Sequence, residues 1–451
     1  MHIDTLLERI ISNAEQRAIV GDGVDWDYAR LHQAVCDWDT KLQALEVIAG
    51  ELIAIRSDFR AQAIACLLAL FKRGCVAVMM SPNDPSAISK AADIGVRLCV
   101  GVDQNEQVDI QSLSENSPSQ RQTLHPLVQT LLDRNHPGFV VFSSGSSGSP
   151  KAVLHDADGF CAHLVDVQKA KSTIGFLALD HIAGVDTLLY TLFAGGSLVL
   201  LAQRTPAGVC SAIESHRAEV LPASPSFLKL LVLDNSWQRY DLASLQIITF
   251  GSEPPDTAVN KAIAEALPQV QLMQKYGASE FGAPRSKTRP NDTGWLKLDG
   301  PHFKTKVIDD VLWVKTSGTM LGYLNHELPA SDDGWLCTGD RVETDGQWLR
   351  ILGRESDIIN VGGEKVFPAE VERQIEQMPE VLECAVSSEA HVLLGHVVVA
   401  KLRLVPGAEL AQPKLQVRKH CASRLPKYAL PVRVELTQTS LTSQRGKRLR
   451  E

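Results

Sequence analysis

The 451-residue chain has no long uninterrupted apolar run. Its longest, AIACLLALF at residues 63–71, lies between Gln62 and Lys72 and is far shorter than the roughly 20 residues a bilayer requires. The opening MHIDTLLERIISNAEQR carries Asp4 and Glu8 and lacks the apolar stretch of a signal peptide. No membrane span is expected. Net positive charge is missing as well. Lys and Arg number 45 against 53 Asp and Glu, and the resulting −8 excludes a general nucleic-acid binder, which neutralises phosphates with a basic surface. The nine cysteines, among them Cys36, Cys75, Cys210 and Cys421, include no CxxC pair. An odd number without metal-ligand spacing reads as buried free thiols, and a cytoplasmic location is the expectation. Internal repeats and low-complexity tails are also absent.

What is present is ordinary globular composition, with 44% apolar and 22% charged residues, in enough chain for about three lobes. Strand-like and helix-like segments alternate. Glu51 to Ile55 reads as a strand, Ala61 to Phe71 as a buried helix, and Cys75 to Met80 as a strand. Further on come strand 197–201, helix 207–216, strand 220–221, a helix over 225–233 and strand 246–250. Strands separated by helices of this length predict βαβ units in a mostly parallel sheet covered on both faces. Beyond Thr305 the pattern changes to short strands at 306–308, 311–314 and 348–352, separated by Asp, Gly and Asn turns. The expected fold is therefore α/β. It has a large N-terminal domain of mostly parallel layers with a β-rich subdomain, residues 1–353, and a small mobile α+β domain, residues 354–451.

Residues 142–153 read FSSGSSGSPKAV and follow the apolar Phe139, Val140 and Val141. Ser143, Ser144, Gly145, Ser146, Ser147 and Gly148 lead to Pro150 and Lys151. Glycines let successive N–H groups turn toward one anion, serine hydroxyls add donors, and the lysine adds charge. A Walker A loop is excluded, because it needs four residues between its first Gly and a Gly-Lys-Ser/Thr end. A flexible surface loop is the bland alternative for such composition. The preceding strand and the single following lysine favour a phosphate cradle.

Further segments follow in order: Tyr276-Gly277-Ala278-Ser279-Glu280-Phe281-Gly282; Thr338-Gly339-Asp340; Gly353-Arg354-Glu355-Ser356-Asp357; Gly362-Gly363-Glu364-Lys365; and Gly446-Lys447. Together with the Gly/Ser loop they resemble the adenylate-forming superfamily, which includes acyl-CoA synthetases, peptide-synthetase adenylation domains and firefly luciferase. The resemblance covers nearly the whole chain, and the wording GGEKVFPAEVE is most similar to acyl-CoA synthetases.

The resemblance implies a set of roles. The loop from Ser143 to Lys151 would hold the β- and γ-phosphates of ATP, with Ser standing where the family usually has Thr, and Ala152 for Gly. Glu280 would hold Mg²⁺, Ser279 would lie beside the α-phosphate, and Tyr276 with Gly277 would lie against adenine. Gly251, Ser252 and Glu253 would form the adenine-side loop, placed after strand 246–250 at the ligand-binding end of an α/β sheet. Asp340 would accept bonds from the ribose hydroxyls, and Arg354 would contact ribose or phosphate. Lys447 would bridge the substrate carboxylate and the α-phosphate, although the preceding Thr442-Ser443-Gln444-Arg445 departs from the commoner pattern. Ser356 would be the hinge of a rotation that withdraws Lys447 and brings Gly362 and Gly363 forward as the walls of a pantetheine tunnel.

The substrate implied is a small-molecule carboxylic acid. His181 and Gly184 fit the His-x-x-Gly of acyl- and aryl-CoA ligases. Amino-acid-activating relatives place an Asp at the position of His181 to pair an α-ammonium, and a buried unpaired cation would be costly. A hydrogen-bonded core histidine competes with a gating role for His181. CoA is the preferred thiol acceptor and the phosphopantetheine of a carrier protein the alternative. No carrier domain is expected within the chain, so either acceptor must come from outside. A catalytically idle nucleotide- or acyl-binding protein is the competing class, disfavoured by the joint presence of Lys151, Glu280, Asp340 and Lys447.

Overall fold

The computed structural model describes residues 1–113, 124–143, 150–167, 169–251, 257–284, 286–289, 292–298, 300, 302–327 and 332–442. Two seven-stranded sheets enclose most of the core. The first runs Gln271–Gln274, Ile247–Phe250, Val220–Ala223, Ser172–Ile174, Ser197–Val199, Arg17–Gly21 and Val24–Asp27, parallel except for the final hairpin. The second runs Gly322–Tyr323, Lys151–Asp156, Gly138–Ser143, Val76–Met80, Leu52–Arg56, Leu98–Val102 and Val108–Ser112. Its four central strands are parallel and its edges antiparallel. The helix Ala61–Lys72 is apolar on nearly every side and is correspondingly buried. One core cluster joins it to Ile19 and Leu198 of the first sheet and to Ile53, Val100 and Phe139 of the second. The apolar run that is too short for a membrane is thus the filling between two sheets, and among the described residues no helix is long and apolar enough to cross one.

A third sheet is antiparallel throughout, in the order Ser286–Arg289, Asp292–Leu298, Trp348–Arg354, Leu336–Asp345, Val311–Thr316 and Phe303–Ile308. Asp309 and Asp310 make the tight turn between its last two strands in chain order 303–316, both at positive φ, which Asp tolerates better than most residues. After the short helical turn Glu355–Asp357 comes a fourth sheet of Ile359–Val361, Glu364–Val366, Val381–His391, Gly395–Leu404 and Arg433–Thr437. Its core, from Ile359 to Leu430, draws no residue from the other three sheets.

One segment differs in detail from the sequence reading. The strand at Val220 continues through Pro222 to Ala223, although Pro lacks an N–H for the ladder. The strand expected before the Gly/Ser loop is present as Gly138–Ser143, and the chain after the loop forms its antiparallel partner Lys151–Asp156, a strand not read from the sequence. All nine cysteines are free and seven are buried. Burial pushes the Cys75 and Cys210 thiols up to about 12, as expected of inert core residues.

Candidate active site

The parallel strands of the first sheet end together. Ile247–Phe250 and Gln271–Gln274 pair in register, Phe250 opposite Gln274, so the residues that follow them, Gly251 and Lys275-Tyr276, emerge side by side. A Cβ on Gly251 would come within 2.5 Å of the Lys275 carbonyl oxygen, which makes glycine necessary there. Beyond Val220–Ala223 in the same sheet, strand Ser172–Ile174 leads to His181, the residue that opens helix Ile182–Phe193. Gly184, in that helix's first turn, would place a Cβ 2.0 Å from the Ala178 carbonyl oxygen. The glycine of His-x-x-Gly is therefore what allows the loop bearing His181 to fold against its own helix. Ser252 and Glu253 lie outside the described residues.

Residues 276–282 close on themselves. The Ala278 N–H donates to the Gly282 carbonyl at 3.1 Å, and the Gly282 N–H donates back at 2.9 Å. A side chain at Gly277 would strike the Gly282 carbonyl oxygen at 2.4 Å, and Gly282 has φ +74°. The two glycines thus permit a tight loop that presents Ser279 and Glu280. This loop is held from the second sheet. His155 Nε2 lies 2.6 Å from the Ser279 carbonyl oxygen, and the Met320 N–H donates to the Glu280 carbonyl at 2.8 Å. His155 stacks on Phe139 at 4.8 Å, and burial holds it down to about 4, so it serves as a neutral N–H donor.

The phosphate-loop candidate spans the open end of the hairpin Gly138–Ser143 and Lys151–Asp156, where Ser143 pairs with Lys151. Ser144, Gly145, Ser146, Ser147 and Gly148 lie outside the described residues. Lys151 is bracketed by Asn325, whose amide donates to the Pro150 carbonyl at 3.0 Å and accepts from the Ala152 N–H at 2.8 Å. Its Nζ sits 5.1 Å from the centroid of the Tyr323 ring, and the Tyr323 hydroxyl donates to Glu280 Oε1 at 3.2 Å. Burial, followed by the Glu280 charge, drives the Tyr323 phenol above its usual range. Tyr323 and Asn325 are absent from the sequence reading. They lie on a two-residue edge strand and just beyond it, a signal too short for periodicity to reveal.

The third sheet contributes Asp340 and Arg354, opposite one another on adjacent strands. The Tyr276 hydroxyl donates to Asp340 Oδ2 at 2.6 Å, and Arg354 Nε stands 3.6 Å from Oδ1. Tyr276 is only 9% exposed, with Phe281 beside its ring at 5.7 Å. Asp340 titrates above the usual carboxylate range. Burial is the largest cause, and the charges of Glu280 and Asp357 add to it against the opposing Tyr276 bond and Arg354. Three sheets therefore bring Lys151, Glu280, Tyr276, Asp340 and Arg354 into one linked arrangement. The Glu280 charge is felt at Asp340 and links the two groups electrostatically. Among the described residues no group of three His, Cys, Asp or Glu is arranged to hold a metal by itself.

Ser356 is exposed in the helical turn after Arg354, its hydroxyl 3.0 Å from Asp357 Oδ1. Gly362 and Gly363 form the turn between Ile359–Val361 and Glu364–Val366 with φ of +60° and +93°, and both are exposed. A Cβ on Gly363 would meet nothing within 4 Å. Lys229, on helix Pro225–Asp234 beside the first sheet, reaches across to the fourth sheet's unit. Its ammonium donates to the carbonyls of Glu376 at 3.0 Å and Val381 at 2.6 Å. Gly446 and Lys447 lie outside the described residues.

A family model described as AMP-binding enzyme matches residues 8–324, and that of the AMP-binding enzyme C-terminal domain matches residues 370–447. The chain belongs to the AMP-binding enzyme family. An indoleacetate–CoA ligase of Aromatoleum aromaticum is 28% identical over 348 residues, spanning 70% of this chain and 67% of that protein. A fatty acid–acyl-carrier-protein ligase of Mycobacterium marinum is 27% identical, spanning 88% of this chain and 87% of the relative. Against 4-coumarate–CoA ligase-like proteins of Arabidopsis thaliana and Oryza sativa the chain spans about half the relative's length, 46% to 58%. The solved structure of an anthranilate CoA ligase in complex with anthranoyl-AMP matches with a TM-score of 0.83 at 20% identity, covering 100% of this chain and 95% of that one. At that identity the likeness establishes the fold.

Proposed function

We propose that this protein activates a carboxylic acid with ATP and passes the acyl group to the thiol of CoA. In the first step a carboxylate oxygen attacks the α-phosphorus, the bond to pyrophosphate breaks, and acyl-AMP forms. In the second the thiol attacks the acyl carbon, the C–S bond forms, and AMP leaves with the electrons of the C–O bond. The observation that carries this reading is the linked pair of brackets, Lys151–Tyr323–Glu280 and Tyr276–Asp340–Arg354, at the C-terminal edge of a parallel sheet.

Within it, Ser143 to Lys151 hold the outer phosphates, and Gly251, Ser252, Glu253 and Gly277 border the adenine beside Tyr276. Asp340 retains lone pairs for the ribose hydroxyls after accepting from Tyr276, and Arg354 neutralises charge nearby. Ser279 lies toward the α-phosphate and Lys447 bridges it to the acid. Glu280 suits Mg²⁺, which takes one or two carboxylates and completes its shell with substrate phosphates, and would there offset charge on departing pyrophosphate. His181 borders the acid. Residues 354–451 pivot at Ser356 between the two steps and bring Gly362 and Gly363 to the thiol. The names of the relatives favour an acid with an aromatic group, and the lack of Asp at position 181 disfavours an α-amino acid.

The test is a panel of aryl, fatty and α-amino acids assayed for pyrophosphate release with hydroxylamine present, followed by thioester formation with CoA. Hydroxamate from an aryl or aliphatic acid supports the reading. ATP binding without release of pyrophosphate for any acid would leave the idle nucleotide-binding protein.

A further inference from the structure

Beside the loop that presents Ser279 and Glu280 lies a cleft walled by Phe160, Phe281 and Phe303, with His163, Asp166 and His302 also lining it. Its enclosed volume is about 40 Å³. That is more than one water needs and well below the roughly 150 Å³ that accepts a benzene ring. The cleft has room for the end of a substrate and not for a whole ring. It adjoins both elements that flank the proposed position of the acid. Phe281 is two residues beyond Ser279, so their Cα atoms stand at most about 7 Å apart. Asp186, which faces His163, is on helix Ile182–Phe193 five residues past His181, roughly 7 Å along the axis.

His163 sits in the turn after helix Ala157–Cys161, and its partners fix where its proton is. Nδ1 is 2.8 Å from the Phe160 carbonyl oxygen, which can only accept, so Nδ1 carries the proton. A neutral ring then turns a bare Nε2 lone pair toward Asp186 Oδ1, 3.4 Å away. Oδ1 is shielded from solvent and accepts no hydrogen bond among the described residues. Two acceptors facing each other call for a donor. The His163 and Asp186 side chains are 23% and 19% exposed, so a ligand can reach them.

We infer that the acid substrate carries a neutral hydrogen-bond donor, a hydroxyl or amino group on its ring, and that His163 and Asp186 read it. The inference rests on the acid-activation reading above and specifies its substrate. A donor brought to Nε2 and Oδ1 satisfies both, whereas a methyl or ether group leaves the shielded Oδ1 unpaired. A second carboxylate on the acid would meet the charges of Asp166 and Asp186. The phenyl rings suit the flat body of an aryl acid next to that tip, with Phe160 edge-on to His163 at 5.8 Å and Phe281 beside Phe303 at 6.3 Å.

The test measures hydroxamate formation by full-length wild type and Asp186→Asn. The substrates are benzoates, phenylacetates and cinnamates that differ only in one ring substituent: hydroxyl, amino, methoxy, methyl or carboxylate. In wild type, kcat/KM for the hydroxyl or amino acid should exceed that for its methyl partner about tenfold or more. In Asp186→Asn, nearly isosteric and able to donate as well as accept, that ratio should collapse toward one. A wild-type ratio near one overturns the inference and makes the pair a closed ion pair that reads nothing. Preference for the methoxy or carboxylate acid overturns it by placing a donor where the acceptors were assigned. Discrimination that persists in Asp186→Asn assigns it to other residues and overturns it as well. Hydroxamate without discrimination removes this inference alone, whereas no hydroxamate from any acid removes the acid-activation reading with it.

Discussion

The Asp340 carboxyl stands where burial resists negative charge. Its folded pKa is raised, so between the unfolded and folded values the native state binds more protons, and stability falls as pH rises through that window. Asp340→Asn keeps an acceptor for Tyr276 and removes the buried charge. The expected outcome is a higher Tm at neutral pH together with an ATP KM raised about tenfold, as for loss of a charge-assisted bond. A lower Tm would mean that the Arg354 interaction outweighs burial. His155 has the opposite sign. It is a base held down to about 4 from an ordinary 6.5, so the unfolded chain binds the extra proton and stability is lost as pH falls from 6.5 toward 4. That loss is on the order of 3 kcal/mol. In His155→Gln the slope of stability against pH over this interval should flatten, measured by urea unfolding at several pH values. An unchanged slope would assign the acid sensitivity elsewhere.

Among the elements, the contact made by Lys229 has the clearest consequence. Its ammonium reaches two carbonyls at the end of helix Pro368–Ile375 and the start of strand Val381–His391, where the helix dipole favours a cation. Lys229→Met keeps the aliphatic stem and removes the donors. Proteolysis near residues 355–357 should then quicken, and the two half-reactions should change in opposite directions. Equal slowing of both would reduce the lysine to a structural role. The helices and parallel strands of this region were legible because they are long and strongly patterned, as in Ala61–Lys72. The antiparallel partner of Gly138–Ser143 was not, because its apolar run continues without alternation on a strand buried on both faces. The glycines at 362 and 363 were read as allowing close approach. Their positive φ adds that any side chain there would strain the turn before meeting a pantetheine arm.

At the scale of the whole molecule, most of the candidate site residues were legible as motif letters, whereas the groups packed against them were not. Tyr323, Asn325, His155 and Lys229 act across sequence gaps of 43 to 175 residues, which no local pattern reports. The domain-rotation proposal yields its own expectation. Lys447→Ala should cut acyl-AMP formation about a hundredfold, in the range for removing one transition-state donor. It should leave thioester formation from presynthesised acyl-AMP intact, as stopped assays of each half-reaction would reveal. Equal loss in both would point to a folding defect.

The chain leaves the third sheet at Thr316, adds Gly322–Tyr323 to the edge of the second, and returns to the third at Leu336. That detour is a stitch. A cut between residues 317 and 321 would leave both flanks anchored by strand pairing, so the β-rich unit would stay attached to the nicked protein. Among the described residues the fourth sheet's unit has no such stitch, and residues 354–357 join it to the third sheet. Mechanically, the molecule is a sewn body with a single tethered flap, and a pulling force applied at its two ends should release the flap well before any seam gives way.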